Sequence, residues 1–235
     1  MHLRQQLIKR VRAQFARPTG LAGRIAGWVM ASRSSNRRRN AWAVSLLDVQ
    51  RDDRVLEIGF GPGIAIRELA RLAANGRVCG LDHSEVMLRQ ASRRNAEAVR
   101  LGQVKLSLGS VEHASAFEVP FDKVLAVNAL QFWDEPADPL RELRRVLRSG
   151  GRIAIAFQPR GPGASDRAAT TRGQTIATAL RDAGFSQVRL ETLKLKPAVV
   201  CALGVNASGG DVRSSTAPPP LSSPIDPSPA VGPPL

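Results

Sequence analysis

The sequence has no tyrosine, two cysteines, an aromatic content of 4% and no acidic residue before Asp48. The chain thus offers no tyrosine for base stacking, and it has neither a cysteine pair nor a recognisable RNA-binding module. Cys79 and Cys201 lie far apart in the apolar segments VCGLD and VVCALGV, with neither a CxxC spacing nor a histidine at ligand distance. That excludes a zinc site and a disulfide framework and marks both as core thiols. No apolar run approaches the roughly 20 residues that a membrane span requires. The first 20 residues carry arginines throughout rather than an apolar stretch with a cleavage site, so a cytoplasmic protein is expected.

What is present bounds the fold. At 235 residues with 43% hydrophobic content, the chain can bury one sizeable core but is short for two ordinary enzyme domains. The net charge of +14 invites an anionic partner. Its arginines are spread along the chain rather than clustered, however, and nucleic acid is the less favoured partner.

Three parts follow from the patterning. Residues 1–50 are basic, with Leu3, Leu7, Ile8, Val11 and Phe15 at helical spacing, then a segment punctuated by glycine. Residues 51–206 alternate short β-branched runs with helical patterns: DRVLEIG, IAIRELARLAA, RVCGLD, SEVMLRQASRRNAEAVR, QVKLSLGS and FDKVLAVN, a helix over about 137–147, GRIAIAFQ, and a helix over about 175–183. Continuous apolar strands between amphipathic helices predict an α/β fold, a mostly parallel seven-stranded sheet covered on both faces. The last two strands, SQVRLETLKL and AVVCALGVN, are joined by too short a link for a parallel crossover and are expected to pair antiparallel. Residues 207–235 are rich in proline and serine without apolar periodicity, and disorder is expected there.

The chemical signal is Val55-Leu-Glu-Ile-Gly-Phe-Gly-Pro-Gly63, a strand carrying an acid near its end and running into a glycine-rich turn before a helix. Glycines there admit positive φ and let a ligand approach bare backbone, while the first amides of the helix face that ligand. Asp82 ends the next strand, where a carboxylate can accept both ribose hydroxyls of a nucleoside cofactor. A dinucleotide fits poorly, because the turn departs from GxGxxG and Glu57 would repel a pyrophosphate. The same carboxylate complements the ammonium and sulfonium of S-adenosylmethionine. A purely structural reading, in which Glu57 accepts backbone N–H groups to organise the turn, stands beside it.

In order and spacing, VLEIGFGPG, GLDHSEVMLRQA, FDKVLAVNALQFW and LRELRRVLRSGGRIAIAF resemble successive motifs of Rossmann-like class I S-adenosylmethionine-dependent methyltransferases, and are most similar to the small-molecule branch acting in ubiquinone and menaquinone biosynthesis. The resemblance implies that Glu57, Gly59, Phe60, Gly61 and Gly63 surround the methionine end of the cofactor and that Asp82 holds the ribose. It places His83 near the adenine, where an ordinary surface histidine is the competing reading, and sets Ser110 and Val111 along the adenine edge. Asn128 would approach the methionine amine. The family often carries aspartate where Ser110 stands, and a hydroxyl accepts more weakly than a carboxylate.

Because the sulfonium is already activated, the enzyme chiefly aligns a nucleophile with the methyl group, and no dedicated base is required. Glu112 and His113 are the nearest titratable candidates for one, and both also read as ordinary loop residues. The stretch Asn128-Ala-Leu-Gln131 lacks the Asn-Pro-Pro-Tyr signature of enzymes that methylate adenine or glutamine amines, which favours a small-molecule acceptor. Phe132 and Trp133 either line its pocket or pack on the following helix. The basic N-terminus, with Trp28, Arg33 and Arg37–Arg39, either caps the cleft facing an acidic substrate or a membrane surface touched peripherally, or Met1 to Phe15 is a solvated basic helix whose apolar stripe simply packs on the domain. An RNA or protein methyltransferase, and a non-catalytic S-adenosylmethionine-binding protein, are the alternatives. Nothing in the sequence speaks to oligomeric state.

Overall fold

The computed structural model of the protein describes residues 34–130 and 137–207. The expected cap and amphipathic helix of residues 1–31, Phe132, Trp133 and the proline-rich tail lie outside the described residues. The first described element is a helix, α1 (Ser34–Ser45). Then come β1 (Arg54–Ile58), α2 (Ile64–Leu72), β2 (Arg77–Asp82), α3 (Glu85–Arg94), α4 (Ala96–Arg100), β3 (Val104–Leu108), a 3-10 turn (Val111–Ala116) and β4 (Phe121–Val127). The chain closes with α5 (Ala137–Val146), β5 (Leu147–Phe157), α6 (Asp166–Asp182), β6 (Ser186–Leu193) and β7 (Val199–Val205).

The strands form one seven-stranded sheet in the order β3-β2-β1-β4-β5-β7-β6. β1 to β5 run parallel, and β7 lies antiparallel between β5 and β6. The mostly parallel sheet with a terminal antiparallel pair is thus the one expected, and the short link before β7 holds the Lys196–Pro197 peptide in cis. Alternate residues of each central strand feed two apolar layers. Leu56 and Ile58 join Phe121, Leu140, Leu143 and Leu180 on the α5/α6 face. Val55 joins Leu47, Ile66, Leu69 and Met87 on the face covered by α1, α2 and α3. Burial on both faces is why β1, β4 and β5 read as continuous apolar runs.

Four features depart from the patterns. α1 was not separable from the basic N-terminal stretch. Its inward stripe, Asn36, Arg39, Asn40, Ala43 and Val44, has the i, i+3, i+4 spacing of a helix, but the upper half of that stripe is polar. α6 starts at Asp166 rather than near residue 175, because Ser165 accepts the Ala168 N–H at 3.1 Å as an N-cap and the first turns bury only small residues. Gly173 lies on β7 so closely that a Cβ there would stand 3.0 Å from Val200. The helix expected over 84–100 is broken at Asn95, whose amide donates to Ala91 O at 2.8 Å and to Gly63 O at 3.2 Å. β5 begins at Leu147, which pairs with Phe121 ahead of the apolar run.

Candidate active site

Strand order reverses beside β1: the chain builds β2 and β3 on one side and then crosses to β4 and β5 on the other. The carboxyl ends of β1 and β4 therefore diverge, and the crevice between such loops is where ligands enter open α/β sheets. The glycine turn sits there. Gly59, Gly61 and Gly63 have φ of 69°, 52° and 76°, all in the left-handed region. Gly59 donates to Leu81 O at 2.7 Å, which ties the turn to β2. A Cβ at Gly59 would stand 2.8 Å from Ala129 Cβ, and one at Gly63 would stand 2.8 Å from Ala91 Cβ, whereas one at Gly61 would meet nothing within 4 Å. The outer glycines answer close packing. Gly61 faces open space.

Phe60 is buried and packs on bare backbone at Gly80, where a Cβ would lie 2.7 Å from its ring. Any ligand contact from Phe60 is thus through its main chain. Gly63 caps α2 without a side-chain hydrogen bond, so no cap side chain takes up the amides of its first turn, and that of Ile66 is bonded to Glu57.

Glu57 is 1% exposed and keeps one carboxylate oxygen, Oε2, without a hydrogen-bond partner among the described residues. Burial, and secondarily the charge of Asp82, push its carboxyl well above the usual carboxylate range, against the opposing pull of the Ile66 N–H. Asp82 accepts Gly61 N–H on Oδ2 at 2.8 Å and Ser84 N–H on Oδ1 at 2.9 Å. Burial raises its carboxyl too, opposed by those two amides. The expected acids and glycines thus meet in one place, with Asp82 clasping the turn as well as ending β2.

His83 follows Asp82 at the surface. Val111 is buried, and Ser110 precedes it at the end of the β3 loop, where Gly109 N–H donates to Asp82 O at 2.9 Å. The Ser110 hydroxyl donates to Glu112 in a short bond that holds the Glu112 carboxyl below its usual range. Nδ1 of His113 accepts the Ser110 N–H at 3.3 Å. Glu112 and His113 are therefore turned back onto their own loop. Asn128 adopts φ of 55° just past β4, and its side-chain oxygen accepts Gln158 N–H at 2.8 Å, bracing β4 against β5. Sequence reasoning missed Gln158, since only the β4–β5 pairing brings it to Asn128. It also missed the carboxylate that Glu112 places beside Ser110.

A family model described as a methyltransferase domain matches residues 55–151, from β1 into β5. The uncharacterized methyltransferase YdaC of Bacillus subtilis is 34% identical over 182 residues, which are 76% of this chain and 96% of that protein. The chain belongs to the S-adenosylmethionine-dependent methyltransferases. A demethylmenaquinone methyltransferase of Bacillus cereus is 32% identical over 134 residues, 53% of this chain and 54% of that protein. The crystal structure of the methyltransferase SibL in its apo form superposes with a TM-score of 0.59 at 22% identity, covering 73% of this chain and 55% of that one. The methyltransferase thus spans about half the length of these last two proteins, and SibL testifies to the fold alone.

The crevice fits the family's cofactor. S-adenosylmethionine carries an ammonium and a sulfonium, and a buried carboxylate oxygen with no partner among the described residues is the group such cations complete. Its carboxylate matches amides at a helix N-terminus, and the void at Gly61 admits it to bare backbone. Among the described residues no cluster of His, Cys, Asp and Glu could hold a metal ion. No helix among them is long and apolar enough to cross a membrane.

Proposed function

We propose that the enzyme methylates an oxygen, carbon or nitrogen nucleophile of a small molecule, with the acceptor lying between the glycine turn and the ends of β4 and β5. The observation that carries the cofactor's placement is the orphaned Oε2 of Glu57 at the base of that turn. Support for a small acceptor comes from the missing Asn-Pro-Pro-Tyr signature at Asn128 and from likeness to an enzyme named for demethylmenaquinone.

The bound cofactor supplies an electrophilic methyl group. Glu57 and the first amides of α2 hold the methionine end, with Gly61 allowing close approach and Gly59 and Gly63 packing the turn in place. Asp82 accepts from the ribose while keeping Gly61 in register. Val111 and the Ser110 loop flank the adenine, where Glu112 provides the carboxylate that Ser110 lacks, and His83 borders the same end. Asn128, its side chain spent on Gln158, sets the rim at β4 against which an acceptor aligns. Aligning the nucleophile and excluding water are what the chain contributes to the rate.

Two measurements test this. S-adenosylmethionine and S-adenosylhomocysteine are expected to raise the melting temperature while NAD does not, since a ligand of the native state alone stabilises it by RT ln(1 + [L]/Kd). A cell extract fractionated into small molecules, RNA and protein should then yield S-adenosylhomocysteine with the small-molecule fraction. Turnover confined to the RNA or protein fraction would refute the acceptor class, and the net charge of +14 would then gain a role.

A further inference from the structure

A second polar cluster lies where α1 meets the end of β5. Arg39 is 6% exposed and donates from Nη1 to Gln158 Oε1 at 3.0 Å. Its Nε is buried without a hydrogen-bond partner among the described residues. Arg160, two residues beyond Gln158, is exposed and donates to Asn36 of the same helix. Gln158 is fixed from two further sides, giving its Nε2 hydrogen to Pro197 O at 2.8 Å and its N–H to Asn128 at 2.8 Å. One guanidinium is thus held rigidly inside the protein, and a second stands near it at the surface.

The energetics of this arrangement are incomplete as it stands. Burial, and then the repulsion of Arg160, bring the Arg39 guanidinium down to about 9. No carboxylate among the described residues acts to offset either effect. A buried cation facing another cation is costly unless an anion completes it. The Nε side of a guanidinium belongs to the fork that matches carboxylate and phosphate oxygens in pairs.

We propose that Arg39 and Arg160 form a binding site for the carboxylate or phosphate of an acidic methyl acceptor. This rests on the small-molecule reading above and narrows it to an anion. The cofactor's own carboxylate is a poorer match, because the glycine turn follows β1 and the cluster lies at β5, with β4 between them. At a strand spacing of about 4.8 Å, that separates the two by roughly 10 Å. Asn128, bridging to Gln158 from the end of β4, lies on the path from one to the other. An acceptor anchored at β5 would present its nucleophile toward the crevice.

The test uses full-length protein saturated with S-adenosylhomocysteine at constant ionic strength, with inorganic phosphate, 4-hydroxybenzoate and the neutral 4-hydroxybenzamide as probes. Both anions are expected to bind and raise the melting temperature, and the amide is not. Arg160→Gln, at an exposed position that leaves the core untouched, and Arg39→Met, which retains much of the buried volume, should each weaken anion binding by about tenfold or more. Affinity for S-adenosylhomocysteine should stay within about twofold, as no contact to the glycine turn is removed. Normal anion binding in Arg160→Gln, or in folded Arg39→Met, would mark that arginine as purely structural, which overturns the proposal. So does the absence of anion binding by the wild type, or a large loss of S-adenosylhomocysteine affinity in both variants, which would seat the cofactor's carboxylate there. Failure of S-adenosylhomocysteine to stabilise the wild type without any anion overturns the cofactor-site reading instead, and is scored separately.

Discussion

The Glu57 side chain is enclosed by the protein, with one oxygen on the Ile66 N–H and the other on nothing among the described residues, so its ionised form is disfavoured until a cation arrives. The sign of the resulting pH dependence follows from where the proton sits. With its carboxyl raised in the folded state, Glu57 keeps a proton that the unfolded chain gives up. Its contribution to stability is whole below the ordinary glutamate range and is lost as pH rises toward the raised value. Glu57→Gln should therefore raise the neutral-pH melting temperature of the unliganded enzyme and flatten that decline, while weakening S-adenosylmethionine binding by about 1.5–3 kcal/mol. Calorimetry in buffers of different ionisation enthalpy should also show protons released when the wild type binds cofactor. A variant both less stable and unaltered in affinity would assign Glu57 to the turn alone. The glycines separate packing from binding in the same way. Gly63→Ala must displace Ala91 and Asn95, only 2.8 Å and 2.7 Å from the new Cβ, and should cost the fold several kcal/mol. Gly61→Ala meets open space at φ of 52° and should cost stability only about 1–2 kcal/mol, yet remove most cofactor affinity. Urea titrations and S-adenosylhomocysteine binding on the two variants decide this, and full cofactor affinity in Gly61→Ala would count against the placement.

At the scale of elements, α1 has two jobs on one face. Its lower half inserts Ala43 and Val44, followed by Leu47, into the layer formed by α2 and β1. Its upper half carries Asn36, Arg39 and Asn40 toward the ends of β4 and β5. The helix thus belongs to the catalytic core even though it precedes the segment matched by the family. Leu47 is fully buried, and Leu47→Ala should destabilise the enzyme by about 2–5 kcal/mol. A loss below about 1 kcal/mol in urea would mean that α1 is an accessory to the fold.

For the whole molecule, the parallel run of β1 to β4 brings every proposed cofactor residue to the carboxyl end of the sheet, and the antiparallel β7–β6 pair extends the sheet beyond β5. Residues 1–31, expected from their sequence to cap the cleft, lie outside the described residues, and a deletion tests that expectation. Deleting them, with α1 retained, is expected to abolish most methyl transfer while S-adenosylhomocysteine binds with at most a modest loss. Normal turnover by the truncated enzyme would dismiss the cap.

Much of this architecture was legible in residue order because its causes are local. Strands buried on both faces read as mainly apolar runs, glycines between a strand and a helix mark a turn, and a link as short as the one at Pro197 permits only an antiparallel return. The elements that escaped notice are those whose cause lies elsewhere in the chain. α1 hides because half of its buried stripe is polar, with Arg39 bonded to Gln158 and Asn36 to Arg160, more than a hundred residues away. The break at Asn95 exists because its amide reaches Gly63 O. Ser110, Glu112 and His113 looked like independent candidates until the loop folded them onto one another. Sequence alone determined the class of fold, the cofactor and the glycine turn, since periodicity and backbone freedom are properties of a few neighbouring residues. Only tertiary structure decided which buried charges were left incomplete, because burial and repulsion between Arg39 and Arg160 arise when distant segments are brought out of water together.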